Sequence, residues 1–128
     1  MPGNSVSEGA VLVVDDEACL ARATSRLLRS MGFGVLVASG GEEAVEICRV
    51  RGDDIDVVLL DLVLRGMTSV EALRQMRSLR PGMRVILTSG YSRQESLHNF
   101  AGMPLDGFLM KPFGYEDLES ALRAALVR

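Results

Sequence analysis

Short apolar segments that each end in a polar side chain are the feature of this sequence that most constrains its fold. Residues 11–14 run into Asp15 and Asp16, residues 57–60 into Asp61, residues 85–87 into Thr88, and residues 108–110 into Lys111. Runs this short and this apolar are typical of strands buried on both faces of a parallel sheet. Because the carboxyl ends of parallel strands lie at one edge of an open sheet, we expect three carboxylates, a hydroxyl and an ammonium to meet there.

Amphipathic stretches alternate with these apolar runs, which is typical of βαβ units around a parallel sheet. The periodicity predicts strands at 10–15, 34–38, 55–61, 84–88 and 107–111, and helices at 18–30, 42–51, 69–79, 92–100 and 115–127. Right-handed crossovers then favour a doubly wound α/β fold with five strands in the order 2-1-3-4-5 and five helices. This order places strands 1 and 3 side by side, so that Asp15, Asp16 and Asp61 become neighbours.

The 128 residues fit one domain, predicted to span residues 10–128 after a flexible segment, residues 1–9. No apolar run approaches the roughly 20 residues of a membrane helix, and the N-terminal residues lack the features of a signal peptide. We therefore expect a cytoplasmic protein without membrane contact. The balance of 14 basic and 17 acidic side chains gives no electrostatic footprint for nucleic acid, so DNA binding by this chain alone is not expected.

The two cysteines and the single histidine are predicted to have no part in the chemistry. Cys19 falls on helix 1 and Cys48 on helix 2, and the proposed winding places these helices on opposite faces of the sheet, so both are expected to be reduced thiols. His98 has no cysteine or acidic residue at metal-ligand spacing, so we expect a surface side chain.

The polar residues at the strand ends are suited to holding a phosphoryl group beside a metal ion. Clustered carboxylates require a partner of opposite charge, and a site made of oxygen ligands alone suits Mg²⁺. Lys111 offers an ammonium, Thr88 a hydroxyl and Ser89 a backbone N–H, so that metal, lysine and this pair could share the three equatorial oxygens. A carboxylate is a usable nucleophile toward phosphorus once positioning and charge neutralisation are supplied.

Four segments carry a resemblance to a known family that covers nearly the whole chain. They are residues 13–17 (Val-Val-Asp-Asp-Glu), Asp61, residues 87–90 (Leu-Thr-Ser-Gly) and residues 111–113 (Lys-Pro-Phe). With these segments the sequence resembles the receiver domain of two-component response regulators, and it looks especially like the receivers of hybrid sensor histidine kinases. The resemblance implies a flavodoxin-like fold and a phosphoacceptor that acts as a signalling switch rather than as an enzyme.

The resemblance also implies a role for each residue of the acidic site. Asp61 would accept a phosphoryl group from the phosphohistidine of a histidine kinase or a histidine phosphotransfer domain. Asp16 and Asp61 would bind Mg²⁺ directly and Asp15 through a metal-bound water, with the backbone carbonyl of Val63 completing the protein ligands. Near helix 3 the sequence departs from the family, because residues 64–69 (Leu-Arg-Gly-Met-Thr-Ser) lack the Met-Pro and Asp-Gly pairs that many receivers have there.

Thr88 and Phe108 are implied to form the switch. Thr88 would move toward the phosphoryl group and Phe108 would fill the vacated space by packing alone, which would reshape the surface of helix 4, strand 5 and helix 5. A homodimer through this surface is one further option. The resemblance also implies a cis peptide bond between Lys111 and Pro112, which directs the lysine toward the acidic residues.

Leu20, Pro112 and Phe113 are predicted to contact the phosphodonor, because it must approach Asp61 along the carboxyl edge of the strands. Ala23, Leu27 and Leu28 are expected to face the sheet, a phase that leaves Leu20 near the rim. Leu20 is then either an interface anchor or the edge of the core.

Three other functions are alternatives to the receiver. An aspartyl-nucleophile phosphatase of the haloacid-dehalogenase type would need an Asp-x-Asp motif and a general acid, whereas Asp61 is followed by Leu62 and Val63. A flavodoxin-like electron carrier would need a Ser/Thr- and Gly-rich cradle for the flavin phosphate, where residues 15–17 are all acidic. A binding module that works without phosphorylation is disfavoured because every residue required for phosphorylation is present.

Overall fold

The computed structural model describes residues 9–127. The flexible segment predicted for residues 1–9 therefore lies outside the described residues, apart from Gly9. Within the described part, none of the helices is long and apolar enough to cross a membrane.

A five-stranded parallel sheet forms the centre of the molecule. Its strands are β1 (Ala10–Val14), β2 (Gly34–Ala38), β3 (Ile55–Asp61), β4 (Val85–Ser89) and β5 (Gly107–Met110). They are hydrogen-bonded in the order β2-β1-β3-β4-β5, which confirms the predicted flavodoxin-like topology. The register pairs Asp61 with Thr88 on neighbouring strands, so the two side chains lie at the same height at the carboxyl edge.

Five helices cover the two faces of this sheet. They are α1 (Ala18–Ser30), α2 (Gly41–Arg51), α3 (Ser69–Leu79), α4 (Arg93–Leu97) and α5 (Tyr115–Leu126). The helix predicted for residues 92–100 is shorter, because the α-helical turns end at Leu97 and residues 98–100 form a 3₁₀ turn. Ser92 and Glu95 begin α4 with a reciprocal capping box, which supplies the first turn of this short helix with partners for its backbone N–H groups.

The buried residues form one cluster on each face of the sheet. Leu12, Val58 and Leu87 pack with residues of α2 and α3 on one face, whereas Val13 and Leu59 pack with residues of α1 and α5 on the other. Alternate residues of each strand thus serve opposite layers, as a sheet covered on both faces requires.

The two cysteines and the histidine lie as predicted. Cys19 is exposed on α1, and Cys48 is buried on α2 in the opposite layer, so the two thiols are free. Burial raises the pKa of the Cys48 thiol to about 11, so this group stays protonated at neutral pH. His98 is exposed.

The phase predicted for α1 was partly wrong. Ala21, Ser25 and Leu28 are its buried residues, whereas Ala23 is exposed and Leu27 is half-buried. Ser25 can lie inside because its hydroxyl donates a hydrogen bond of 2.8 Å to the backbone carbonyl of Ala21. Burying a serine costs little free energy when its hydroxyl has a hydrogen-bond partner inside the protein. A prediction based on apolar residues alone does not detect such a position.

Candidate functional site

Three carboxylates form an acidic pocket at the carboxyl edge of the sheet, as predicted. Asp15 and Asp16 directly follow β1 and Asp61 ends β3, the strand beside it. One carboxylate oxygen from each lies within 4.8 Å of the others. Asp15 and Asp61 are buried and Asp16 is half-buried. The pocket therefore concentrates negative charge where water can screen it only in part.

The ammonium group of Lys111 bridges the two buried carboxylates. It donates hydrogen bonds of 3.2 Å to Asp15 Oδ2 and of 3.1 Å to Asp61 Oδ2. Lys111 follows β5 directly, and its backbone N–H donates to the carbonyl of Ser89 at 2.7 Å. The peptide bond between Lys111 and Pro112 is cis, as the resemblance predicts. The side chain of Lys111 thus reaches the acidic pocket from the end of β5.

Burial and the contact between Asp61 and Lys111 shift the pKa values of both groups. Desolvation by burial raises the pKa of Asp61, and the hydrogen bond and charge of Lys111 offset this increase only in part. Burial alone would lower the pKa of Lys111, but the hydrogen bond and charge of Asp61, together with Asp15, raise it above its usual value. The ammonium therefore stays charged at neutral pH, and one positive charge is divided between two carboxylates.

Backbone N–H groups hold the other oxygens of the same carboxylates. Asp15 Oδ1 accepts from the backbone of Glu17 at 2.9 Å, and Asp61 Oδ1 accepts from the backbone of Val63 at 3.3 Å. Each buried carboxylate thus has one backbone donor and one donor from Lys111. These contacts orient both groups toward the pocket before any ligand arrives.

Asp16 is paired with Arg65, a contact that the sequence analysis did not anticipate. Arg65 lies in the loop between β3 and α3, and both its backbone N–H and its guanidinium Nε donate to Asp16 Oδ2, at 3.1 and 3.3 Å. Sequence spacing gives no signal for this pair, because the two residues are 49 positions apart.

The end of β4 connects the pocket to α4. Thr88 and Ser89 are both buried there. The hydroxyl of Ser89 accepts hydrogen bonds from the backbone of Tyr91 at 2.9 Å and from the hydroxyl of Ser96 at 2.8 Å. Ser96 is a fully buried residue of α4, and the sequence analysis did not single it out. The hydrogen bond between Ser96 and Ser89 depends on how α4 packs against the end of β4, so the sequence does not predict it. The capping box at the start of α4, by contrast, is a pattern that can be recognised in the sequence.

Phe108 lies on β5, where it is half-buried. It packs against the cluster on the face of the sheet that α2 and α3 cover. It also lines a groove next to α4, together with Leu97, Phe100 and Met103. Phe108 is therefore neither fully inside nor fully exposed.

A second groove, between α1 and the turn after β5, contains the three residues predicted to contact a phosphodonor. Leu20 is 40% exposed, Pro112 is exposed and Phe113 is half-buried. Lys111 and Thr88 line the same groove. The predicted rim position of Leu20 is confirmed, and an apolar rim lies next to the acidic pocket.

Residues 11–123 match the family described as the response regulator receiver domain, and the chain belongs to that family. It is 34% identical over 116 residues to sensor kinase CckA of Brucella abortus, a match that covers 91% of this chain. It is 37% identical over 120 residues, or 92% of this chain, to the probable transcriptional regulatory protein TcrX of Mycobacterium tuberculosis. A CheY-like receiver domain protein from Methanospirillum hungatei has a TM-score of 0.84 at 28% identity, with 94% of each chain covered.

The chain spans 12% of the length of the sensor kinase and 50% of that of the regulatory protein. The similarity therefore concerns only a part of each of these two proteins. The chain is a receiver domain of two-component signalling, which favours this interpretation over the phosphatase and the electron carrier considered from the sequence.

The unequal charge balance of the pocket leads to a stability prediction. Asp61→Asn removes one of two carboxylates that share one ammonium, so we expect the free energy of unfolding at pH 7 to rise by about 1 kcal/mol in metal-free buffer. Because folding raises the pKa of Asp61, the stability contributed by this group falls as the pH rises through that pKa. The gain should therefore shrink in acid, where the wild-type carboxyl is already neutral.

Urea denaturation of wild type and Asp61→Asn, at pH 7 and at acidic pH, measures this difference in the free energy of unfolding. Lys111→Met serves as the opposing variant: it leaves two buried carboxylates without their cation and should lower the free energy of unfolding at pH 7 by about 3 kcal/mol. A loss of stability in Asp61→Asn at pH 7 would contradict this account of the pocket.

Proposed function

We propose that Asp61 is the phosphoacceptor of this receiver and that its phosphorylation switches the surface formed by α4, β5 and α5. The observation that carries the proposal is the position of the Lys111 ammonium, within hydrogen-bonding distance of both Asp61 and Asp15. A cation placed there can move from a carboxylate oxygen to a phosphoryl oxygen on Asp61 without a change of fold. The expected cytoplasmic location and a role as a switch rather than an enzyme belong to the same proposal.

The reaction is a transfer of the phosphoryl group from nitrogen to oxygen. An oxygen of the Asp61 carboxylate attacks the phosphorus of a phosphohistidine, and a P–O bond forms while the P–N bond breaks. The electron pair of the broken bond stays on the imidazole nitrogen, which takes up a proton. Because little covalent assistance is needed in such a transfer, the residues around Asp61 act mainly by positioning and by neutralising charge.

The oxygen ligands of the pocket fit a magnesium ion. Asp16 and Asp61 would bind it directly, Asp15 through a water, and the backbone carbonyl of Val63 would complete the protein ligands. The fit rests on three carboxylate oxygens within 4.8 Å of one another, a hard donor set of the kind Mg²⁺ prefers. Bound there, the ion would neutralise charge on the transferred phosphoryl group.

Three groups of this chain would hold the phosphoryl oxygens. Lys111 would donate from its ammonium, Thr88 from its hydroxyl and Ser89 from its backbone N–H. The register that pairs Asp61 with Thr88 supports this assignment, because the two buried side chains leave neighbouring strands at the same height. Of the three, the backbone N–H of Ser89 is held in place by its strand, so this donor costs little reorganisation when charge develops.

The switch would pass from Thr88 to Phe108. In this proposal Thr88 moves toward the phosphoryl group, and Phe108 turns from its half-buried position into the vacated space. The hydrogen bond between Ser89 and Ser96 supports the coupling, because it joins the end of β4 to the interior of α4. Met110, 50% exposed on β5, gives the same surface an apolar contact point for a partner or for a second copy of the chain.

A histidine kinase or a histidine phosphotransfer domain is the proposed donor. Its phosphohistidine must reach Asp61 at the carboxyl edge of the sheet. The groove between α1 and the turn after β5 lies beside this path, and Leu20, Pro112 and Phe113 supply its apolar rim. Exposed apolar side chains next to a reactive group are suited to anchoring such a contact.

Phosphorylation by a small-molecule donor tests the assignment of Asp61. We expect acetyl phosphate to add one phosphoryl group to the wild-type protein, as read by intact-protein mass, and we expect the reaction to require Mg²⁺. Asp61→Asn should abolish the mass increase, whereas Asp56→Asn, on the same strand but at its other end, should retain it. Undiminished phosphorylation of Asp61→Asn would refute the assignment, and an unmodified wild-type protein would favour a binding module that works without phosphorylation.

Leu20→Ser tests the donor surface. We expect slower phosphotransfer from a phosphorylated histidine kinase, by about tenfold, because truncating a side chain that anchors an interface costs more than about 1 kcal/mol. Phosphorylation by acetyl phosphate and the melting temperature should stay close to wild-type values. Val50→Ser, which changes an exposed apolar residue near the end of α2, is the matched control and should transfer normally. A large fall in melting temperature in Leu20→Ser would instead assign the side chain to the core.

A further inference from the structure

Arg65 makes two contacts to a single oxygen of the acidic pocket. Its backbone N–H and its guanidinium Nε both donate to Asp16 Oδ2, at 3.1 and 3.3 Å. The side chain of Arg65 is nevertheless 85% exposed, whereas that of Asp16 is 17% exposed. An exposed surface cation is thus paired with a carboxylate that lies mostly inside the protein.

The loop conformation delivers Arg65 to this position. Gly66 has a φ of +77°, in the left-handed region that side chains other than glycine rarely adopt. Farther along the loop, the hydroxyl of Ser69 donates to the backbone carbonyl of Leu62 at 2.8 Å. The chain therefore turns at Gly66, and the hydrogen bond of Ser69 holds the loop together after this turn. Arg65, which precedes Gly66, faces the end of β1.

The three carboxylates of the pocket consequently all have a cationic partner from this chain. Lys111 is bonded to Asp15 and Asp61, and Arg65 is bonded to Asp16. A divalent cation that binds Asp16 has to share the carboxylate with the guanidinium or displace it, since two cations at one carboxylate repel each other. An exposed ion pair is weak and screened by water, so this displacement is reversible.

We propose that Arg65 is a built-in competitor of Mg²⁺ for Asp16 and sets the Mg²⁺ concentration at which this receiver becomes competent for phosphorylation. The inference rests on the proposed metal site and adds a residue that contributes no ligand to it. Arg65 is a positioning residue in this account: it holds Asp16 in the metal-free protein and withdraws when the ion binds.

Calorimetric titration of the full chain with MgCl₂ at low ionic strength tests the proposal. Arg65→Gln keeps the backbone N–H and removes the charge, and it should tighten Mg²⁺ binding about two- to fivefold, the range expected for an exposed ion pair. Arg65→Lys keeps a cation and should stay closer to wild type. The difference in Mg²⁺ dissociation constant between Arg65→Gln and wild type should become smaller as salt is added, because the competition is electrostatic.

Arg49→Gln is the matched control for net charge. Arg49 is an exposed residue in the last turn of α2, and it lies toward the amino ends of the strands, at the other side of the molecule from the pocket. The Arg49→Gln substitution should leave the Mg²⁺ dissociation constant unchanged. In the wild-type protein, the side-chain Nε–H signal of Arg65 in NMR spectra should move as Mg²⁺ is added, with the same midpoint as the calorimetric titration.

The outcomes separate this inference from the proposed function. Mg²⁺ binding of equal strength in wild type and Arg65→Gln would overturn the competition and leave the metal site standing. Equal tightening in Arg65→Gln and Arg49→Gln would also overturn it, since net charge alone would then explain the effect. A wild-type protein that binds no Mg²⁺ would refute the metal site and this inference together.

Discussion

One ammonium group shared by two buried carboxylates is the interaction on which this site depends. The strand order places Asp15 and Asp61 side by side, and Lys111, which follows β5, lies within hydrogen-bonding distance of both. One ammonium cannot neutralise both carboxylates, and burial raises the pKa of Asp61 because its ionised form is poorly solvated there. This imbalance costs stability in the free protein, and it is the basis for the proposal that a divalent cation binds here and compensates the charge before a phosphoryl group arrives.

Much of this arrangement could be predicted from the sequence, because local and global signals agree. Apolar runs long enough for one strand, each followed by a polar residue, define both the sheet and its functional edge. Right-handed crossovers then leave few ways to wind five strands, and the order 2-1-3-4-5 brings Asp16 and Asp61 together. The cis bond before Pro112 came from the family resemblance alone, since most bonds to proline are trans.

The features that sequence reasoning missed depend on contacts that no hydrophobic pattern reveals. The contact between Arg65 and Asp16 requires the turn at Gly66 and the end of β1 to meet, and nothing local to either residue announces it. Ser96 connects α4 to the end of β4 only through its hydrogen bond to Ser89. The error at Ala23 has a different cause: a hydrophobic pattern treats serine as exposed, whereas Ser25 satisfies its hydroxyl within its own helix and lies inside.

In the proposed switch, Thr88 senses an anion on Asp61 and transmits the change to the surface of α4, β5 and α5. Amide NMR spectra of the protein with Mg²⁺ and beryllofluoride, a stand-in for the phosphoryl group, test it directly. The account predicts shifts at Asp61 and also at Phe108 and along α4 in the wild type, and shifts confined to the pocket in Thr88→Ala. Identical shifts of Phe108 and α4 in both proteins, or none in the wild type, would contradict it.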